Sequence, residues 1–138
     1  MIRAESERIL RGQPFLVDAR IAECRVFAGD AAAGLASATD ALARARVSKV
    51  GGKAVSVLER VRGHALLRMG DCAAAREALE ASLAAARTRK DLQETALALH
   101  SLRAAYRCAG TEPPADVIAD GDVLVARLAI RALPTVPL

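Results

Sequence analysis

Residues 68–79, which read RMGDCAAAREAL, place a Gly70-Asp71 turn between two alanine-rich runs. The same dipeptide occurs at Gly29-Asp30, 41 residues earlier, and a weaker counterpart occurs at Gly110-Thr111, 40 residues later. Self-similarity at a fixed period in this range is typical of chains that stack helical hairpins into a solenoid. We therefore predict that the Gly70-Asp71 turn is one of a series, each joining two packed helices.

The composition favours helices over strands. The chain of 138 residues is 53% hydrophobic but only 2% aromatic, so alanine and leucine must supply most of its core. Alanine is the strongest helix former, and the length suits one domain that buries roughly two-thirds of its unfolded surface. We predict a single all-α domain over residues 1–138.

The charge and hydropathy patterns argue against two classes of partner, nucleic acids and membranes. The 20 basic and 16 acidic side chains are interspersed and leave a formal net charge of +4, without a dense basic block. Nucleic acid is therefore not expected as a partner. No apolar run approaches the ~20 residues that a membrane span needs, and residues 1–11 lack the apolar core of a signal peptide. The predicted location is the cytoplasm, without a membrane partner.

The three cysteines, Cys24, Cys72 and Cys108, lie far apart in the chain and form no CxxC pair. This spacing indicates neither a zinc site nor a disulfide framework. We expect all three to be small buried side chains in a reducing compartment.

Glycine, proline and aspartate divide the chain into helical units. The predicted units are a half-unit at 2–12, hairpins at about 14–46, 53–90 and 91–132, and a proline-containing tail at 133–138. A carboxylate before a helix can accept hydrogen bonds from the unpaired N–H groups of its first turn. The residues expected to cap helices in this way are Asp30, Asp71 and Asp91.

The middle hairpin carries a pattern of small and large residues at Gly63, Leu66, Gly70, Ala75, Leu79 and Ser82. This pattern resembles the tetratricopeptide (TPR) repeat, in which a small residue of the first helix precedes a large one by three positions and a glycine turn leads to small residues in the second helix. The corresponding residues are Ala22, Arg25, Gly29, Gly34, Ala38 and Ala41 in the first hairpin, and Arg103, Tyr106, Gly110, Ala115, Ala119 and Asp122 in the third. The resemblance implies antiparallel hairpins stacked as a short right-handed solenoid.

The stretches 66–71 and 75–87 are similar to TPR-like arrays at the C-termini of bacterial multidomain signalling proteins, which pair an ATPase module with a nucleotide-cyclase or helix-turn-helix module. The resemblance implies a non-catalytic interaction or regulatory domain that is a C-terminal piece or a relative of such a protein. Its expected partner is a protein or peptide, and a neighbouring ATPase or cyclase domain is one candidate. The alternatives are the effector arm of a DNA-binding transcription activator and an independent enzyme with a convergent polar pocket. An uncovered end near Ile2 and Ile9 could drive self-association.

No stretch of the sequence predicts a catalytic residue, a metal site or a cofactor. Residues 50–54, VGGKA, superficially suggest a phosphate loop, but Val47 stands where that loop needs glycine and Ala54 where it needs a hydroxyl group. His64 and His100 are the only histidines, and neither has the convergent partners that metal binding or catalysis requires.

The candidate binding residues are Arg60, His64, Arg68, His100 and Arg107. In TPR-like solenoids the first helix of each hairpin lines the concave face, and the resemblance places these five side chains there. Together they would form a modestly basic groove suited to an acidic peptide or a carboxylate terminus. The alternative is that they occupy ordinary solvated positions on the helices.

Overall fold

The computed structural model of the chain describes residues 13–49 and 51–128. Six helices occupy most of this part: α1 (Gln13–Phe27), α2 (Ala31–Val47), α3 (Gly52–Arg68), α4 (Cys72–Thr88), α5 (Leu92–Cys108) and α6 (Ala115–Leu128). No described residue belongs to a strand, so the all-α prediction is confirmed for this part of the chain. The predicted half-unit at 2–12, the end of the last hairpin at 129–132 and the tail at 133–138 lie outside the described residues.

The Gly70-Asp71 turn ends α3 and begins α4 through one set of backbone hydrogen bonds. Gly70 has a φ of +81°, its N–H donates to the carbonyl of Leu67 (3.0 Å), and the N–H of Asp71 donates to the carbonyl of Leu66 (2.9 Å). This is the Schellman arrangement that a left-handed glycine permits. The Asp71 carboxylate then accepts from the N–H of Ala74 at 3.1 Å and caps α4, as predicted.

The same Schellman turn recurs at Gly29, Lys90 and Gly110, the last with a φ of +75° and Thr111 in place of the aspartate. Gly29 has a φ of +99°, and Asp30 caps α2 by accepting from the N–H of Ala33 at 3.1 Å. After α4 the left-handed position is held by Lys90, with a φ of 56°, and Asp91 caps α5 through the N–H of Glu94 at 3.1 Å. The caps predicted at Asp30 and Asp91 are therefore confirmed, whereas the left-handed lysine was not foreseen because no glycine marks it.

The helices pack in two different ways. Each helix contacts the next one along the chain. In addition, α1 contacts α3, and α3 contacts α5. In the described part of the chain the backbone of α4 stays apart from those of α2 and α6, although a surface ion pair between Arg87 and Asp120 links α4 to α6. We call α1, α3 and α5 the odd-helix layer, since these three helices lie side by side.

Small residues bring the two helices of a hairpin close together. A Cβ atom placed on Gly63 of α3 would lie 2.5 Å from Cγ of Leu79 on α4. A Cβ atom on Gly34 of α2 would lie 2.5 Å from Cγ2 of Val26 on α1. Leu79 is completely buried and Val26 nearly so. The first two hairpins thus owe their close packing to a glycine that faces a buried branched side chain.

Candidate functional site

A charged seam formed by Glu23, Arg60 and Glu94 crosses the odd-helix layer. The Nε and Nη2 atoms of Arg60 donate to Oε2 and Oε1 of Glu94 at 3.1 and 3.3 Å, and its Nη1 lies 3.6 Å from Oε2 of Glu23. The three side chains are only 11–19% exposed. One arginine of α3 therefore joins α1 and α5, and two carboxylates more than offset its charge.

His64 lies one helical turn beyond Arg60, inside the same layer. It is 5% exposed, its Nε2 is 2.8 Å from the Ser101 hydroxyl of α5, and its ring centroid is 6.5 Å from that of Phe27 on α1. Burial lowers the pKa of His64 to about 3, with further lowering from the charges of Arg60 and His100. The imidazole is therefore neutral at pH 7 and does not contribute a positive charge to a binding face.

The other predicted binding residues are more accessible. Arg68 is half-buried in the last turn of α3, and its Nε atom has no hydrogen-bond partner among the described residues. His100 is half-buried on α5, close enough to His64 to affect its pKa. Arg107 is exposed in the last turn of α5. Neither Arg68 nor Arg107 forms an ion pair within the described ranges, so these are the two candidates whose positive charge is not neutralised.

The structure thus brings Arg60, His64 and His100 together but places the first two inside the packed layer. Sequence reasoning missed the partners that hold them there: Glu23, Phe27, Glu94 and Ser101. One signal was available, because Glu23 and Glu94 stand 37 and 34 residues from Arg60, close to the repeat period. A repeat-spaced glutamate on each side of an arginine is what an inter-repeat ion pair requires.

A separate groove of about 470 Å³ lies where α4, α5 and α6 meet, and none of the predicted binding residues lines it. Its apolar wall includes Leu92, Val123 and Leu124. At its rim, Nη2 of Arg87 lies 3.1 Å from Oδ2 of Asp120 and links α4 to α6. The groove is thus apolar with a paired charge at its edge.

A disulfide joins Cys72, the first residue of α4, to Cys108, the last residue of α5. Their Cα atoms are 5.7 Å apart, and the third cysteine, Cys24, is exposed with a free thiol. The expectation of three buried, unpaired cysteines was therefore wrong. The two ends meet because α4 and α5 are adjacent and run in opposite directions, which brings residues 36 positions apart to one edge.

Among the described helices, none combines the length and the apolar character that crossing a membrane would require. Comparison of the chain with models of known families, with curated proteins and with solved structures gave no match. The TPR resemblance therefore depends on the chain's own residues and on the way its helices pack.

Proposed function

We propose that this chain is a non-catalytic, TPR-like helical repeat domain that binds an acidic protein segment. In this proposal it is a cytoplasmic interaction or regulatory part of a bacterial signalling protein. The observation that carries the proposal is the unequal packing of the two sets of helices. The odd-helix layer is continuous, whereas the backbones of α2, α4 and α6 stay apart in the described part, where the exposed ion pair of Arg87 with Asp120 links α4 to α6.

This packing supports a solenoid that curves toward the odd-helix layer, and the TPR resemblance implies that its superhelix is right-handed. When the helices of one layer touch and those of the other are apart, the contacting layer is the inner side of the curve. Repeat proteins use such concave surfaces for binding. The close approach of Gly63 to Leu79 supports the TPR assignment further, because it brings together two positions of the TPR-like pattern, one from each helix of the hairpin.

The chemistry of the unpaired side chains favours an acidic ligand. Arg68 and Arg107 lie near the C-terminal ends of α3 and α5, which run side by side in the odd-helix layer. Phe27, at the end of α1, is 40% exposed. Two unneutralised guanidinium groups can take carboxylates through charge-assisted hydrogen bonds, and an exposed aromatic ring can pack against an apolar residue of the same peptide.

A defined peptide probe tests this proposal. Fluorescein-labelled peptides that alternate Asp or Glu with apolar residues, with a free or an amidated C-terminus, would be titrated at low and high salt and followed by fluorescence anisotropy. We expect the double variant Arg68→Gln/Arg107→Gln to bind at least about tenfold more weakly, a loss of about 1.4 kcal/mol. Arg60 is left intact, because its removal would strand the carboxylates of Glu23 and Glu94.

The matched control is Arg44→Gln/Arg87→Gln, which removes the same charge from α2 and α4, outside the odd-helix layer. An equal loss of affinity in this control would show a non-specific charge effect. Unchanged affinity in the Arg68→Gln/Arg107→Gln variant would refute the proposed acidic-peptide site on the odd-helix layer. The alternative function, the effector arm of a DNA-binding transcription activator, stays a prediction.

A further inference from the structure

We propose that Cys72 and Cys108 form a reversible thiol–disulfide clamp that fastens the third hairpin (α5 and α6) to the second (α3 and α4). A low-molecular-weight disulfide of the glutathione type would close the clamp, and a dithiol would open it. This proposal goes beyond the proposed scaffold function and does not depend on what the scaffold binds.

The position of the bond is what makes it a clamp. The turn at residues 89–91 already joins α4 to α5 at one end of the helix pair. The disulfide joins them at the opposite end, so that the backbone and the S–S bond enclose both helices in a covalent ring. The Cα separation of 5.7 Å lies within the range that disulfides adopt without movement of the backbone.

Both cysteines lie outside the apolar core. Cys108 is exposed, Cys72 is half-buried, and neither belongs to the two apolar clusters of the molecule. A small thiol can therefore reach Cys108 without unfolding the helices. Accessible disulfides are the labile and regulatory ones, in contrast to buried structural bonds.

Opening the bond would leave the third hairpin folded but less firmly held. Away from the cysteines, α5 remains attached through the pairs of Arg60 with Glu94 and of His64 with Ser101, both on its side toward α3. Near the cysteines, Arg76 of α4 lies over the ring of Tyr106 of α5, 5.2 Å from its centroid. A surface contact of this kind is weak. The C-terminal end of α5 would therefore separate from α4 more often once the covalent bond is gone.

The reaction balances as a two-step thiol–disulfide exchange. In closing, the thiolate of one cysteine attacks a sulfur of the oxidised small molecule, forms a mixed disulfide and releases one small thiolate. The second cysteine's thiolate then attacks the protein sulfur of that mixed disulfide and releases the other. Two electrons pass to the small disulfide, and the two protons of the cysteine thiols end on the two released thiols. A dithiol reverses both steps.

Thiol counting tests whether the pair forms. The full chain carrying Cys24→Ser, which leaves only the pair, would be equilibrated in buffers of graded reduced-to-oxidised glutathione ratio. It would then be alkylated with iodoacetamide and weighed intact. We expect only molecules with no free thiol or two free thiols, because the two cysteines react as a unit. Two free thiols at every ratio, or stable glutathione adducts as the end product, would overturn the proposal.

Hydrogen exchange tests whether the bond acts as a clamp. On reduction we expect amides in the last turns of α5 and in α6 to exchange at least about tenfold faster, while α1 and α2 are unchanged. The variant Cys72→Ser/Cys108→Ser should resemble the reduced protein in both buffers. Identical exchange rates in the oxidised and reduced protein would show that the disulfide does not restrain α5 or α6. Loss of all helical circular dichroism on reduction would make it a permanent structural bond and would equally refute a switch.

Discussion

Gly63 sets the distance between the two helices of the middle hairpin, because Leu79 fills the space that any side chain there would need. A Cβ atom at this position would lie 2.5 Å from Cγ of Leu79, which is completely buried and enclosed by its neighbours. We predict that Gly63→Ala lowers the free energy of unfolding by about 1–3 kcal/mol through overpacking, although alanine is the better helix former. Urea denaturation would measure the change.

Gly121 of α6 is the matched control for this substitution. The nearest atom to a Cβ atom there is Cβ of Leu99 at 3.6 Å, an ordinary contact distance. Gly121→Ala should therefore be neutral, or should stabilise the helix by up to about 1 kcal/mol. If Gly63→Ala were as stable as Gly121→Ala, this result would contradict the close approach of α3 to α4 at Gly63.

His64 should make the stability depend on pH in one direction. Its pKa is about 3 in the folded chain and about 6.5 when unfolded. Between these values the unfolded state binds the proton more readily, so the free energy of unfolding falls as the pH is lowered. The loss can reach about 1.4 kcal/mol per pH unit. Urea denaturation between pH 6.5 and 5, above the ordinary carboxylate range, would measure this slope.

Two histidine variants separate this effect from other titrations. His64→Gln keeps an amide near the Ser101 hydroxyl, where Nε2 of the imidazole now lies, but removes the titrating group, so the slope should shrink. His100→Gln, on the neighbouring helix, should retain most of it. Equal slopes in the wild type and in His64→Gln would contradict the burial of a neutral imidazole.

At the scale of helices, the charged seam of Glu23, Arg60 and Glu94 ties three elements together. Arg60→Leu would leave two carboxylates in the layer without their cation, and we predict a loss of about 3–5 kcal/mol. Replacing both glutamates by glutamine in the same chain should recover part of this loss, since no stranded charge would remain. Thermal or urea unfolding of the single and triple variants would give both values.

The control for the seam is Arg44, whose ion pairs with Asp18 and Asp40 are at the surface, with its own side chain 52% exposed. Arg44→Leu should cost less than about 1 kcal/mol, because water screens exposed pairs. A similar cost at Arg44 and Arg60 would mean that the seam is no more than another surface ion pair.

The turns between helices carry a further prediction at Lys90. Its φ of 56° is a conformation that costs roughly 1–2 kcal/mol in a residue with a Cβ atom, and glycine holds the equivalent position at residues 29 and 70. Lys90→Gly should therefore raise the free energy of unfolding by up to about 1 kcal/mol, which would be measured as a higher urea midpoint. Lys90→Ala is the control and should give no such gain. Stabilisation by both would point to the lysine charge instead of the backbone.

Helix order and caps were predictable because they depend on neighbours in the sequence. Asp71 follows a glycine and precedes an alanine-rich run, and these local features are sufficient for a turn and a cap. The environment of Arg60 was not predictable in the same way. Helical periodicity shows which face of α3 carries this arginine, but the side chains opposite it belong to α1 and α5. Their register depends on how closely the helices pack, which small residues such as Gly63 determine.

At the scale of the whole molecule, the disulfide likewise could not be predicted from local sequence. Cys72 and Cys108 carry no local pattern, and their pairing depends on two helix ends that meet at one edge. In the polymer model, closing a loop of the 36-residue separation stabilises a fold by about 4 kcal/mol. That gain would be a large fraction of the 5–15 kcal/mol typical of a domain. Whether Cys72 and Cys108 are paired therefore changes the expected free energy of unfolding of the whole domain.

The stack should not be uniformly stable, because its helices differ in how many neighbours they have. In the described part, α3 packs against α1, α2, α4 and α5, whereas α6 packs against α5 and reaches α4 through the exposed ion pair of Arg87 with Asp120. Eleven residues of α3 are buried, from Ala54 to Leu67, but only Val117 and Gly121 are buried in α6. Repeat proteins gain stability from each neighbouring interface, so α6 can open while α3 stays packed.

Hydrogen exchange followed by mass spectrometry would test this order directly. We predict that amides of α3 exchange slowest, at a rate set by global unfolding, and that those of α6 exchange at least about tenfold faster through local opening. Oxidised protein should be used, because the disulfide then holds α5 in place and any excess exchange in α6 reflects its one packed interface, with α5. Equal protection of α3 and α6 would mean that the chain unfolds as one cooperative unit, in which neighbour contacts do not set local stability.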